Sequence, residues 1–193
     1  LDNREWEEPV FFAVERLSRT GPDGAAAVAR AIVAALAIDP MLAAEMVFRS
    51  SDQAWTLVGP AVTDLAKRWH SPGAVDRAFG FMVRTGRPDF ADALRKVVEA
   101  GDRNARIEAI RSAPRFRIAS FGVDAGAWVA TLPEAAREEV LSEIAMKGDI
   151  TALEFATAIA VADTTISVRV AVIEALAFRQ ANRLAARVLN SSP

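Results

Sequence analysis

The sequence predicts an all-α fold, and within that class an α-solenoid of antiparallel helical hairpins. Alanine, the residue with the best intrinsic helix propensity, fills 40 of the 193 positions. Apolar residues recur at helical spacing between clusters of Gly, Pro and Asp, and no long run alternates as a strand does. Ile107, Leu141 and Ile173 occupy matching positions at spacings of 34 and 32 residues, a period typical of stacked helical pairs. An irregular helical bundle is the alternative.

Twelve helices follow from the positions of the turn residues, within an expected range of about 10–13. Asp23 and the pair Asp39-Pro40 are predicted to begin the second and third helices, because Asp caps a helix and Pro suits its first turn. Pro60 is expected to kink or divide the fourth helix. The predicted helices are 5–19, 23–38, 40–49, 52–69, 73–85, 88–100, 102–113, 124–131, 134–147, 150–162, 165–178 and 182–190.

Two Gly-Asp pairs, Gly101-Asp102 and Gly148-Asp149, mark tight joints between helices. In each pair the glycine suits the left-handed position after a helix, and the aspartate suits the cap of the next one. Consecutive helices joined in this way are expected to lie antiparallel. Residues 115–123 are the least regular segment, and the run from Phe116 to Phe121 is compatible with a short strand, although no partner strand is evident.

The whole chain, 1–193, is predicted to be a single helical-repeat domain. Its first part, 1–87, is less regular, and 88–190 divides into hairpins. Aligning Ile110, Ile144 and Leu176 reproduces the spacings of 34 and 32 residues. The hairpins that this alignment gives are 88–113, 124–147 and 150–178.

The segment 163–176 resembles the second helix of a HEAT repeat. That signature has an aspartate in the turn, then Val-Arg, then spaced alanines and a leucine; the matching residues are Asp163, Val168, Arg169, Ala171, Ala175 and Leu176. The match is weaker over 102–110, and over 134–147 only the apolar spacing remains. The short period is more similar to that of the bacterial HEAT-like variety than to that of the longer eukaryotic repeats. The resemblance implies that Asp163 and Arg169 are structural residues that tie adjacent repeats together.

Composition removes several classes of site. The chain has no cysteine and one histidine, which excludes disulfides, thiolate metal sites, cysteine nucleophiles and multi-histidine metal sites. That histidine, His70, lies at a predicted helix end, where the helix dipole favours its cation. Gly-x-Ser-x-Gly and the glycine-rich phosphate loops are absent from the sequence. Glu139 and Glu143 are interpreted as a solvated helix face. We therefore predict no catalytic residue, metal or cofactor, and favour a non-enzymatic role.

The sequence also predicts no membrane span. The longest strongly apolar stretch, 25–38, has 14 residues and includes Arg30, whereas a spanning helix needs about 20. The acidic start of the chain lacks the pattern of a signal peptide. A cytoplasmic location is the expectation. A third interpretation is that the chain is one segment of a longer protein.

Arginines supply most of the candidate binding residues. Guanidinium groups bind carboxylates and phosphates through paired hydrogen bonds, and the arginines cluster in two places. The alternative is that their stems cover apolar surface and their heads pair with nearby acids. The candidates are Arg103, Arg106, Arg111, Arg115, Arg117, Glu143, Arg179 and Arg183.

Two functional hypotheses follow. The first is a scaffold module that binds a protein or peptide partner on the concave surface formed by 102–113, 134–147 and 165–178. An acidic partner is one of the possibilities. The second is an enzyme, because HEAT-like folds occur in bacterial alkyl-purine DNA glycosylases, and Asp124 with Trp128 loosely suggests such a site. The net charge of −2 argues against nucleic-acid binding.

Overall fold

The computed structural model describes residues 6–69, 75–100, 103–113 and 115–191. In this part of the chain there are twelve α-helices and no β-strand, which confirms the all-α prediction. His70, Gly101 and Asp102 lie outside the described residues. The helices are α1 (Glu7–Leu17), α2 (Pro22–Ile38), α3 (Pro40–Arg49), α4 (Asp52–Trp69), α5 (Val75–Thr85), α6 (Ala91–Glu99), α7 (Arg103–Ser112), α8 (Ala125–Thr131), α9 (Glu134–Lys147), α10 (Ile150–Ala162), α11 (Ile166–Phe178) and α12 (Asn182–Leu189).

Aspartate caps begin two of the helices at the positions that the sequence indicates. The Asp39 carboxylate accepts hydrogen bonds from the first amides of α3, and Asp149 accepts one from the Ala152 amide in α10. Gly148 corrects the expectation of a left-handed glycine, because its φ is −68°. Glycine is required there because space is limited: a Cβ at this position would lie 2.4 Å from the Cβ of Ala152.

Helix α4 continues through Pro60 without division. Proline lacks the amide hydrogen that would bond to the carbonyl of Thr56, one turn earlier. Both residues are exposed, so water can satisfy the freed carbonyl. The position of this proline on the solvent side explains why the helix is not split.

The segment after α7 is not a strand. Residues Ile118–Phe121 form a short 3-10 helix, and the one bridge in this segment pairs Phe116 with Gly148. Phe116 and Phe121 are almost completely buried, with their rings stacked at 6.0 Å. The alternation that resembles a strand therefore reflects two aromatic anchors that fasten an irregular segment to the core.

Odd-numbered helices pack on one another in chain order: α1 on α3, α3 on α5, α5 on α7, α7 on α9 and α9 on α11. Among the even-numbered helices, α2 packs on α4 and α8 on α10, while α12 packs on both α10 and α11. The buried apolar side chains form one continuous cluster that extends from Phe11 to Val188. The odd-numbered helices thus form a row in which α7, α9 and α11 are consecutive.

Side-chain hydrogen bonds join the helices of this row at nearly constant sequence separation. In the turns that follow α1 and α3, the Ser51 hydroxyl donates to the Ser18 carbonyl over 33 residues. Between α9 and α11, the Ser167 hydroxyl donates to Glu134, again over 33 residues. The separation matches the period of the apolar pattern.

Candidate binding surface

A groove between α7 and α9 is lined by charged side chains from both helices. Glu139 on α9 accepts hydrogen bonds from Arg103 and Arg106, each at 2.9 Å between Nε and a carboxylate oxygen. One turn further along α9, Glu143 lies 3.5 Å from Arg111 and 3.2 Å from Lys147. The groove encloses about 190 Å³. Four of the predicted binding residues, Arg103, Arg106, Arg111 and Glu143, thus lie together.

Exposure separates the three arginines of α7. The side chains of Arg103 and Arg111 are each 70% exposed, whereas that of Arg106 is only 10% exposed. Arg106 is therefore a candidate that does not lie at the surface, and the interpretation of Glu139 and Glu143 as a solvated face is wrong, because their side chains are mostly buried. The guanidinium of Arg106 also donates to the carbonyl of Ala100 at 3.2 Å, so it ties the end of α6 to α9.

A second cluster surrounds Glu45 in α3, whose side chain is completely buried. Arg117 donates to both of its carboxylate oxygens, at 2.8 and 3.1 Å. Arg49, Arg84 and Arg115 also place nitrogens 3.3, 3.4 and 3.8 Å from this carboxylate. Burial by itself would raise the pKa of Glu45, but the charges of Arg117, Arg84 and Arg115 outweigh it and the pKa is lowered. Glu45 is therefore a buried carboxylate with an excess of cations around it.

Arg117 is almost fully buried, in contrast to its predicted role at a binding surface. Its guanidinium lies over the Phe48 ring at 3.4 Å and reaches Asp149 at 3.5 Å. Burial lowers the pKa of Arg117, while Glu45 and Asp149 oppose that shift. No local pattern in the sequence indicates the pairing of Arg117 with Glu45, because 72 residues separate the partners.

An open cleft of about 460 Å³ lies where the C-terminal ends of α9 and α11 approach the segment after α7. Arg179 lies in it and donates to the carbonyls of Met146 and Gly148, at 2.7 and 3.2 Å. Lys147 donates to the Arg111 carbonyl. The cleft is lined by Arg115, Phe116, Arg117, Met146, Lys147, Gly148, Asp149 and Arg179.

The arginines near the C-terminus do not form one stripe. The backbone turns at Gln180, where φ is +57°, and α12 begins only at Asn182. Arg179 therefore belongs to the end of α11, whereas Arg183 is an exposed residue of α12. The structure places these two candidates on different elements.

The residues of the HEAT-like segment make contacts within the framework. Asp163 accepts a hydrogen bond from Arg137 of α9 at 2.5 Å and another from the Thr165 amide at 2.8 Å. Arg169 is buried and donates to the Val188 carbonyl at 2.8 Å, which ties α11 to the end of α12. The other signature residues, Val168, Ala171 and Leu176, are buried or half-buried in α11.

The pair that suggested a glycosylase does not share an open groove. Trp128 is 7% exposed and stacks on Phe121 at 5.3 Å, and its indole donates to Glu99 at 2.7 Å. Asp124 forms an ion pair with Arg95, which holds the pKa of that carboxyl below its ordinary value. With its ring in the core, Trp128 is not placed to stack on a nucleobase.

Among the described residues, no group of three or more His, Asp or Glu side chains is placed to hold a metal ion. None of the helices described is both long enough and apolar enough to cross a bilayer. The chain matches no family model, and neither the curated proteins nor the solved structures include one that is significantly similar to it.

Proposed function

We propose that the protein is a non-enzymatic interaction module of HEAT-like type, which binds an acidic segment of a protein partner along the α7–α9 groove. The observation that carries the proposal is the arrangement of Arg103 and Arg111, which are both strongly exposed yet lie against acids of the neighbouring helix. Such arginines present their guanidinium groups in a defined direction, at a reduced entropic cost on binding.

The spacing of these two arginines defines the partner. Eight residues along an α-helix correspond to a rise of about 12 Å, so Arg103 and Arg111 lie near opposite ends of the groove. A partner segment with two carboxylates at about that distance would engage both guanidinium groups. The floor between them includes Ile107 and Ile110, which supplies apolar surface for the intervening residues.

The acids of the groove serve as supports. Glu139 accepts a hydrogen bond from Arg106 as well as from Arg103, so it is held by the less exposed arginine while it orients the exposed one. The Arg111–Glu143 pair is long and its arginine is strongly exposed, so its contribution to folding stability is small. Their value in this proposal is orientation of the guanidinium group and electrostatic steering of an acidic partner.

The HEAT-like solenoid belongs to the same proposal. Two features support it: the row of odd-numbered helices, and the hydrogen bonds that recur over 33 residues along it. In a solenoid of this kind the second helices of successive pairs line a concave surface. Here those helices are α7, α9 and α11, and the groove lies between the first two.

The test is affinity capture from a lysate of the source organism, with and without nuclease. The bait is either the unaltered protein or the double variant Arg103→Gln/Arg111→Gln. A matched control is Arg30→Gln/Arg68→Gln, which makes the same change in net charge at exposed positions of α2 and α4. We expect a protein that resists nuclease, is retained by the control and is lost from the groove variant.

Two results would contradict the proposal. Retention that disappears with nuclease would indicate nucleic-acid binding instead. Equal retention by the groove variant and the control would show that any partner binds elsewhere. Circular dichroism of all three proteins verifies that each variant keeps its helices.

A further inference from the structure

The cleft between the ends of α9 and α11 contains more basic than acidic side chains. Four basic residues line it, and Asp149 is the one acid among its lining residues. Asp149 already caps α10 through the Ala152 amide at 3.0 Å and contacts Arg117 at 3.5 Å. The positive charge is therefore only partly neutralised by the lining of the cleft.

The two most exposed bases in the cleft have weak or neutral partners. Arg115 is 52% exposed, and the carboxylate it approaches is that of Glu45, at 3.8 Å. Glu45 is more strongly held by Arg117 at 2.8 Å. Arg179 is exposed, and its hydrogen bonds described above are to neutral backbone carbonyls. Both guanidinium groups are thus available to an anion from solvent.

Arg117 forms the inner wall of the cleft and adds to its positive charge. The residue is more than nine-tenths buried, and its Nε has no hydrogen-bond partner. A buried, unpaired N–H group is unusual and costly. Because Glu45 is shared among four arginines, one carboxylate does not balance the charge on this side of the cleft.

We propose that this cleft binds the phosphate group of a small phosphorylated molecule. A dianionic phosphate would neutralise the excess charge, and it matches the paired donors of Arg115 and Arg179. The volume of about 460 Å³ is within the range of small-molecule sites, so it leaves room for an organic group beside Met146. The cleft and the α7–α9 groove share no lining residue.

The experiment is isothermal titration of the full chain with phenyl phosphate, inorganic phosphate and acetate at constant ionic strength. We expect saturable binding of phenyl phosphate and no saturation by acetate. Tighter binding of phenyl phosphate than of inorganic phosphate would assign the site to an organic phosphate. Equal binding of the two would assign it to free phosphate.

The variant that tests the site is Arg115→Gln. The contact of Arg115 with Glu45 is long, so we expect the fold to depend little on this side chain. We expect the variant to weaken phosphate binding by roughly tenfold, the usual scale for losing a charged hydrogen-bond donor. Arg30→Gln on α2 is the control for net charge, and its affinity should stay within about twofold. Arg179→Gln provides a second measurement from the opposite wall.

Three results would overturn the proposal. One is the absence of saturable binding for both phosphates. Another is acetate binding as tight as that of phosphate, which would indicate a general carboxylate site. The third is equal weakening by Arg115→Gln and Arg30→Gln, which would show that net charge alone attracts the anion. None of these results affects the α7–α9 groove, so its proposal is tested separately.

Discussion

Helix α11 packs on α9 with matching ends together, whereas the C-terminal end of α7 meets the beginning of α5. The ends of α9 and α11 are joined by Ser167 to Glu134 at one side and by Arg179 to Met146 at the other. In α7, the C-terminal residue Ser112 instead donates to the carbonyl of Asp76, at the beginning of α5. The irregular segment 115–121 then packs on α5, where the Ser120 hydroxyl donates to the Val83 carbonyl at 2.9 Å.

The two interfaces also differ in what holds them. The hydrogen bonds of Ser167 and Arg179 at the ends of α9 and α11 lie at the surface, and one further ion pair, between Arg137 of α9 and Asp163 just before α11, is mostly buried. Where the irregular segment meets α3, Arg117 is buried against Glu45. A buried ion pair is costly to break because it leaves an unpaired charge. We therefore expect the exposed hydrogen bonds at the ends of α9 and α11 to tolerate substitution, whereas the irregular segment depends on the buried carboxylate of Glu45.

The largest expected effect is that of Glu45→Gln. It removes the carboxylate that four arginines share, so that Arg117 keeps only its longer ion pair with Asp149 and Arg49 keeps only its ion pair with Glu15. We expect the free energy of unfolding to fall by about 3–5 kcal/mol, as measured by urea denaturation followed by circular dichroism. A loss below about 1 kcal/mol, typical of a surface pair, would mean that the carboxylate does not hold the irregular segment.

A smaller effect is expected for Arg106→Ala in the α7–α9 groove. The change leaves the Ala100 carbonyl and one oxygen of Glu139 without their donor. The expected cost is about 1–3 kcal/mol. Arg103→Ala, which alters an exposed partner of the same Glu139, should cost no more than about 0.5 kcal/mol. Equal losses in the two variants would contradict the structural role assigned to Arg106.

The pH dependence of stability sharpens the role of Glu45. Its pKa is lowered in the folded protein from an ordinary value of 4.5, so the unfolded chain takes up a proton first as the pH falls. The stabilisation from this group is complete above 4.5 and is lost as the pH decreases through the folded pKa. Urea denaturation from pH 7 to pH 3 should therefore show the difference between the unaltered protein and Glu45→Gln decreasing. A constant difference would show that Glu45 does not titrate with a lowered pKa.

The smallest effect is expected at the regular interface. Ser167→Ala removes one exposed hydrogen bond to Glu134, and the apolar contact between α9 and α11 remains. The change in the free energy of unfolding should stay within about 0.5 kcal/mol. A loss as large as that of Glu45→Gln would remove the distinction between the two interfaces.

Local rules were enough to locate most of the helices. Neighbouring residues alone indicate helix caps, such as Asp39 and Asp149, and the apolar spacing of a helix, such as that of Ile107 with Ile110. The effect of Pro60 was harder to predict, because a proline divides a helix or leaves it continuous depending on whether it lies on the buried or the solvent-facing side. The strand-like pattern of 116–121 was ambiguous for a related reason: two aromatic anchors produce an apolar pattern that resembles alternation.

The candidate sites depended on pairings that no local pattern contains. The sequence grouped the arginines of 103–117 as one cluster, but the fold divides them between the α7–α9 groove and the cleft. Arg106 and Arg117 were expected at a surface, and both are buried against acids 33 and 72 residues away. Glu45 is the single acid within the apolar sequence of α3. A single acid is also expected where a helix faces solvent, so its position did not distinguish a buried carboxylate from an exposed one.

The most direct test of the proposed function is the affinity of the captured partner for three proteins, measured by isothermal titration. These are the unaltered chain, Arg103→Gln/Arg111→Gln and the control Arg30→Gln/Arg68→Gln. We predict that the groove variant loses at least about tenfold in affinity, with the loss reduced at high salt, and that the control stays within about twofold. Equal affinities for all three proteins would contradict the assignment of the α7–α9 groove as the binding surface.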